Sequence, residues 1–159
     1  MAEQDYKTQA IDLINQQHTM ALATARQNTA WAAPVYYSFY KASFYFFSDP
    51  GSRHISEAME TKQCAAAIYP HVDTWQAIRG IQMSGRIRSV PSGLTAVQAV
   101  QAYVRKFPFT RSFFDPGQAL DLGSFEKQFH VRLYRLEPDL VYYLDNQVQF
   151  GFRIEVKLA

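Results

Sequence analysis

Apolar positions recur at helical spacing near the start of the chain and at roughly every second residue through much of the remainder. In residues 3–17, Tyr6, Ala10, Leu13 and Ile14 fall near one face, which predicts a short amphipathic helix. The period changes at Thr19. MALATA, then WAAPVYYSFY from Trp31, then ASFYFFS from Ala42 are rich in β-branched, aromatic and small residues, with breaks at Gln27-Asn28 and at Lys41. They predict three consecutive strands of an antiparallel meander. Pro34 interrupts the second run and lacks the N–H that a ladder needs, which places it at an edge or a bulge.

Residues 49–62, DPGSRHISEAMETK, predict a second helix. Asp49 as N-cap with Pro50 at the first helical position is one reading. A turn through Asp-Pro-Gly with Ser52 as the cap is the other, and the sequence leaves both open. QCAAAIYP then reads as a strand, and AIRGIQMSGRIRSV alternates long enough for a half-exposed strand with Gly80 and Gly85 as bulges or close backbone approaches. From Ser92, Leu94, Val97, Val100 and Val104 recur at helical spacing up to the Phe107-Pro108 break. Beyond a loop containing Asp115-Pro116-Gly117, FHVRLYRLEP, LVYYL and VQFGFRIEV read as three closing strands, with a hairpin turn at Asp145-Asn146. About eight strands and three helices, most strand neighbours being adjacent in sequence, predict an α+β fold that is mainly β: an antiparallel barrel, closed or nearly so, with helices at its ends.

The 159 residues carry no internal repeat or linker, so residues 1–159 are expected to form one domain. With 16 Lys and Arg against 14 Asp and Glu, the charge of +2 excludes a nucleic-acid reader that works by bulk positive charge. Aromatic residues make up 15% of the chain, more than a core of this size readily hides, so some rings are expected to line a pocket or an interface. Cys64, the single cysteine, sits in an apolar run as a small buried hydrophobe, which suits a reducing cytoplasm. Without a secretory signal pattern or a run of ~18 apolar residues, no membrane association is expected.

Residues 51–54, GSRH, join a flexible glycine, a hydroxyl, a guanidinium and an imidazole at a predicted helix start. Together these parts make a phosphate or other anion site. The four histidines, at 18, 54, 71 and 130, have no metal-ligand spacing, so no metal is expected, and no serine lies in a nucleophile elbow. Residues 103–111, YVRKFPFTR, interleave cations with aromatic rings, but read first as a helix end whose cations favour the negative dipole.

FYFFSDPGSRHI, residues 44–55, followed by IRGIQMSGRI, residues 78–87, resembles the pyridoxamine 5′-phosphate oxidase-like family of flavin-binding split β-barrels. With YVRKFPFTR and the late LDNQVQFGF, the resemblance is closest to the bacterial group typified by the YhbP proteins. It runs from about His18 to the end of the chain. It implies a homodimer with FMN in a cleft between subunits. Ser48 and Ser52 match hydroxyls near the FMN phosphate, Arg53 matches its guanidinium, and His54 stands where the family usually has lysine. The family's helper cations on the second strand fall on Ala33 and Ser38. The ring is implied to lie against Ala33 to Val35 and Gln82, the last substituting for a flavin-contacting glutamine whose own position is Gly80.

RLEPDL, residues 135–140, has the spacing of the oxidase's substrate-gripping pattern, but no tryptophan follows it, so pyridoxine phosphate oxidase activity is not expected. The resemblance implies an FMN-dependent oxidoreductase that passes electrons from a nicotinamide cofactor to a small acceptor. Its alternative is a protein that binds flavin or another anionic aromatic ligand without turning it over. Catalytic residues are not assigned by either reading.

Overall fold

The computed structural model describes residues 3–113 and 122–159; the expected Asp115-Pro116-Gly117 loop lies outside them. Helix α1 (Glu3–Gln16) leads into strands β1 (Thr19–Arg26), β2 (Thr29–Tyr36), β3 (Ser38–Tyr40) and β4 (Ser43–Ser48). Helix α2 (Arg53–Thr61) comes next, then β5 (Cys64–Ile68) and β6 (Arg79–Ser89). Helices α3 (Leu94–Lys106) and α4 (Leu122–Phe129) precede β7 (Arg132–Asp145) and β8 (Arg153–Glu155).

All eight strands belong to one antiparallel sheet in the order β2-β1-β5-β6-β7-β4-β3, with β8 paired to β7. Only Tyr37 separates β2 from β3, yet these strands stand at opposite ends of the order. The sheet must therefore curl until its two ends meet, which gives a split barrel. Tyr37 is fully buried at this junction, and its hydroxyl donates to the Ile14 carbonyl at 2.5 Å, tying α1 across it.

The barrel interior is filled by Leu22, Phe44, Phe46, Ile81, Leu136 and Tyr143, among others, and α1 presents Tyr6, Ala10, Leu13 and Ile14 to it on one face as expected. A second, smaller core lies behind β4 and β7, where Tyr45 and Leu133 meet Ala96, Ala99 and Val100 of α3. Burial on both faces explains why SFYFFS reads as a continuous apolar run rather than an alternation.

Four expectations change in detail. WAAPVYYSFY divides at Tyr37 into β2 and β3. FHVRLYRLEP and LVYYL merge into the 14-residue β7, and of VQFGFRIEV only Arg153–Glu155 is a strand, so the three closing strands are two. Four α-helices are present among the described residues rather than three, because α4 was not expected. On α3 the buried row is Ala96, Ala99, Val100, Tyr103 and Val104, whereas Leu94 and Val97 are exposed; the two alanines let the helix backbone lie close to the sheet.

Both glycines of β6 make close approaches. A Cβ on Gly85 would sit 2.2 Å from the Glu137 carbonyl oxygen, beside the bulge at which β7 skips Asp139. One on Gly80 would lie 3.0 Å from the Ile68 carbonyl oxygen. Pro34 stands on an edge strand, since β2 pairs with β1 alone.

Candidate functional site

Strand β4 ends at Ser48, and residues 49–52 turn the chain sharply into α2. The Ser52 N–H donates to the Asp49 carbonyl at 3.0 Å, and the Gly51 N–H donates to Asp49 Oδ1 at 2.7 Å. Ser52 is the N-cap in extended conformation, so the turn reading of Asp-Pro-Gly holds. Its hydroxyl, however, donates back to the Asp49 carbonyl at 2.7 Å and makes no side-chain cap. The first-turn N–H groups of α2 therefore face outward with the positive end of the helix dipole and no side chain upon them.

His54 points back at β4, its Nε2 lying 2.9 Å from Ser48 Oγ and 3.4 Å from Ser52 Oγ. Burial holds this imidazole below its ordinary value of 6.5, so it is neutral at pH 7. Ser48, Ser52 and His54 are thus gathered in one place, and Arg53, the next residue in the chain, directs its side chain to Glu57 and Trp31.

Arg53 is held on two sides. Its Nε donates to Glu57 Oε2 at 2.8 Å, and its guanidinium carbon lies 4.3 Å from the centre of the Trp31 ring on β2. The Glu57 side chain is only 1% exposed, and Thr24 of β1 donates to its other oxygen at 3.0 Å. The hydrogen bond from Arg53 holds the Glu57 carboxyl below the usual carboxylate range, against the opposing push of burial, and Thr24 adds to it. With Nε committed, the two terminal nitrogens of a side chain that is 41% exposed remain to meet a ligand.

Ala33 and Val35 share the face of β2 that carries Trp31, in register with Leu22 and Met20. Ser38 is buried at the start of β3, and no hydrogen-bond partner reaches its hydroxyl. Gln82 is placed apart. It lies in one row with Ala67, Ala21 and Pro34, on the opposite face from Ala33 and Val35, three strands or ~14 Å across the sheet from Pro34. There it accepts a hydrogen bond from Arg153 Nε at 2.9 Å.

Four contributors were not singled out from the sequence: Trp31, Glu57, Thr24 and Arg132, which stands in register opposite Ser48. The spacing of four between Arg53 and Glu57 was a readable signal; the others depend on long-range pairing. Two open clefts, of about 590 Å³ beside Cys64 and Gly85 and about 530 Å³ beside Lys62 and Arg86, contain none of the expected residues. Cys64 is inert in this setting, since burial pushes its thiol up to about 12. Residues 103–107 end α3 as expected, with Tyr103 and Phe107 buried and Lys106 lying 3.8 Å from the Tyr37 ring centre.

No protein-family profile matches the chain. A UPF0306 protein of Klebsiella pneumoniae (strain 342) is 26% identical over 143 residues, covering 89% of this chain and 86% of that protein. The UPF0306 protein YhbP of Escherichia coli O157:H7 is 26% identical over 137 residues, covering 85% and 82%. The resemblance to the YhbP-like proteins stands. Among solved structures, a FAD-binding protein from Mesorhizobium loti superposes with a TM-score of 0.61 at 16% identity, over 84% of this chain and 90% of that one. A putative pyridoxamine 5′-phosphate oxidase from Listeria innocua gives 0.64 at 11% identity, over 87% and 98%. A heme-binding protein from Mycobacterium smegmatis gives 0.71 at 13% identity, over 99% and 58%. At these identities the solved structures establish the split-barrel fold alone. Among the described residues, no helix is long and apolar enough to cross a membrane.

Proposed function

We propose that this YhbP-like split barrel binds a flavin nucleotide, FMN in the simplest case, with its phosphate at Ser52, Arg53 and His54. The observation that carries this reading is the Arg53 guanidinium, stacked on Trp31 and anchored through Nε, at a helix start that also carries uncapped first-turn N–H groups and the Ser48–His54 pair. Those donors fit a phosphate. Ala33 would border the ring, with Val35 packed in the barrel core beside it, and a bound flavin supplies two-electron transfer. The chain's own residues orient it: Trp31 and Glu57 hold Arg53, and Ser48 fixes His54 through Nε2.

The proposed unit is a homodimer formed from the single domain of residues 1–159. Gln82 lies on the other face of the sheet from Ala33 and Val35, so it joins this site more readily from a second copy than from the same chain. The proposed reaction is reduction of a small acceptor by a nicotinamide cofactor. Its alternative is flavin binding without turnover, which is favoured by the commitment of His54 to Ser48 and of Arg53 to Glu57. The absorption spectrum of the purified protein, with mass spectrometry of what denaturation releases, tests the flavin. Failure of added FMN to bind would remove the reading. Anaerobic stopped-flow mixing with NADH and NADPH then separates turnover from binding: bleaching of the flavin supports the oxidoreductase.

A further inference from the structure

The anion end of this site is poor in net charge. Arg53 faces the buried Glu57, which also feels the charge of Arg26, and Arg26 pairs with Glu60 at 3.1 Å and donates to the Ser56 hydroxyl. Asp49 places a third carboxylate in the turn itself. Arg132, opposite Ser48, brings a third guanidinium, and it lies near Tyr134 together with Asp49 and Glu126. The residues named thus comprise three guanidiniums and four carboxylates, and the His54 imidazole is itself neutral. Of the four, Glu57 is the fully buried one that touches Arg53 directly, where solvent screens it least.

We propose that Glu57 sets the charge class of the ligand, cancelling enough of Arg53 that the site rewards the first negative charge of a phosphate ester and not the second. The favoured ligand class is then a flavin whose phosphate is singly charged, as in a phosphodiester, bound as well as or better than a doubly charged monoester. This inference rests on the flavin reading above and adds to it the charge of the preferred phosphate.

Glu57→Gln is the informative variant. A glutamine keeps the shape, still accepts from Arg53 Nε and still pairs with Thr24, but removes the negative charge. The probes are riboflavin, FMN and riboflavin 4′,5′-cyclic phosphate, which has the same ring with no charge, about two charges and one charge on its phosphate at pH 8. Each is titrated by fluorescence into the wild type and the variant. In the wild type, FMN and the cyclic diester should both bind more tightly than riboflavin and agree within about fivefold; in Glu57→Gln, FMN should tighten about tenfold, the diester less, and riboflavin not at all.

A wild-type preference for FMN over the diester greater than about fivefold overturns the proposal even if the variant does not fold. So does a Glu57→Gln protein whose FMN affinity is unchanged or weaker, since Glu57 would then only position Arg53. Equal binding of all three probes to both proteins would mean that the phosphate does not sit at Arg53. Binding of none would remove the flavin reading itself, and the proposal with it.

Discussion

Arg53 is the side chain on which the anion site turns, and its removal has a sign that the structure fixes. Arg53→Ala deletes a charge-assisted contact and leaves the buried Glu57 carboxylate facing the ligand. FMN binding should weaken by about 1.5 to 3 kcal/mol, or roughly ten- to hundredfold, as read by titration. Arg105→Ala, at the exposed end of α3, should leave it unchanged. His54 predicts two pH effects. Its folded value lies below 6.5, so on acidification the unfolded chain takes up a proton that the folded ring resists. Stability of the ligand-free protein should therefore be intact above about pH 7 and fall as the pH drops through the ordinary histidine value, and His54→Gln should flatten that slope in thermal melts. With FMN bound, the phosphate favours the charged ring. Ser48 and Ser52 contact the ring, and Arg53, Asp49 and Arg132 are the charged residues of the adjoining segments, so affinity should rise from about pH 8 to about pH 6 and then level as the phosphate gains its own proton. Riboflavin should show little of this, and His54→Lys should remove most of the slope. At this scale the sequence revealed the cluster at residues 51–54 because its members are neighbours in the chain. Trp31 and Arg132 stayed hidden because strand register brings them there.

Strands and helices were legible where one face is wet and the other dry, as in α1 and β6. They blurred where both faces are covered or where a bulge intervenes. Gly85 shows why two expected strands are one. Its lack of a side chain lets β7 pass through the irregularity at Asp139 without ending, so a loop-like Glu-Pro-Asp stretch stays in the sheet. Gly85→Ala drives a methyl into the Glu137 carbonyl and should cost about 3 kcal/mol, as measured by denaturant unfolding at fixed protein concentration. A Gly80→Ala change, at 3.0 Å from a carbonyl, should cost less. The helix α4 was missed for a different reason. Its apolar residues are few, and it covers only the smaller core behind β4, so tertiary contact rather than periodicity marks it.

The barrel as a whole, nearly closed, was readable from the succession of strands, but the place where its two ends meet was not, because nothing in WAAPVYYSFY announces that one residue separates opposite ends of a sheet. We propose that the second copy of the dimer packs on the outer row of β1 and β2, where Ala23, Ala25, Ala30 and Ala32 are exposed. Sedimentation at micromolar concentration should show two chains, and Ala32→Arg should shift the protein to one while leaving its circular dichroism unchanged; a wild-type monomer would remove the two-chain site. Pro34 bears on how such copies meet. An unprotected edge strand invites a neighbour to continue the sheet, and repetition of that contact leads to fibres. With no N–H at Pro34, β2 offers an incomplete ladder to any incoming strand. Two barrels that met along this edge would join more readily by packing side chains than by continuing the sheet. In the proposed dimer such an association would be closed and finite, and the β2 edge would be a poor template for aggregation.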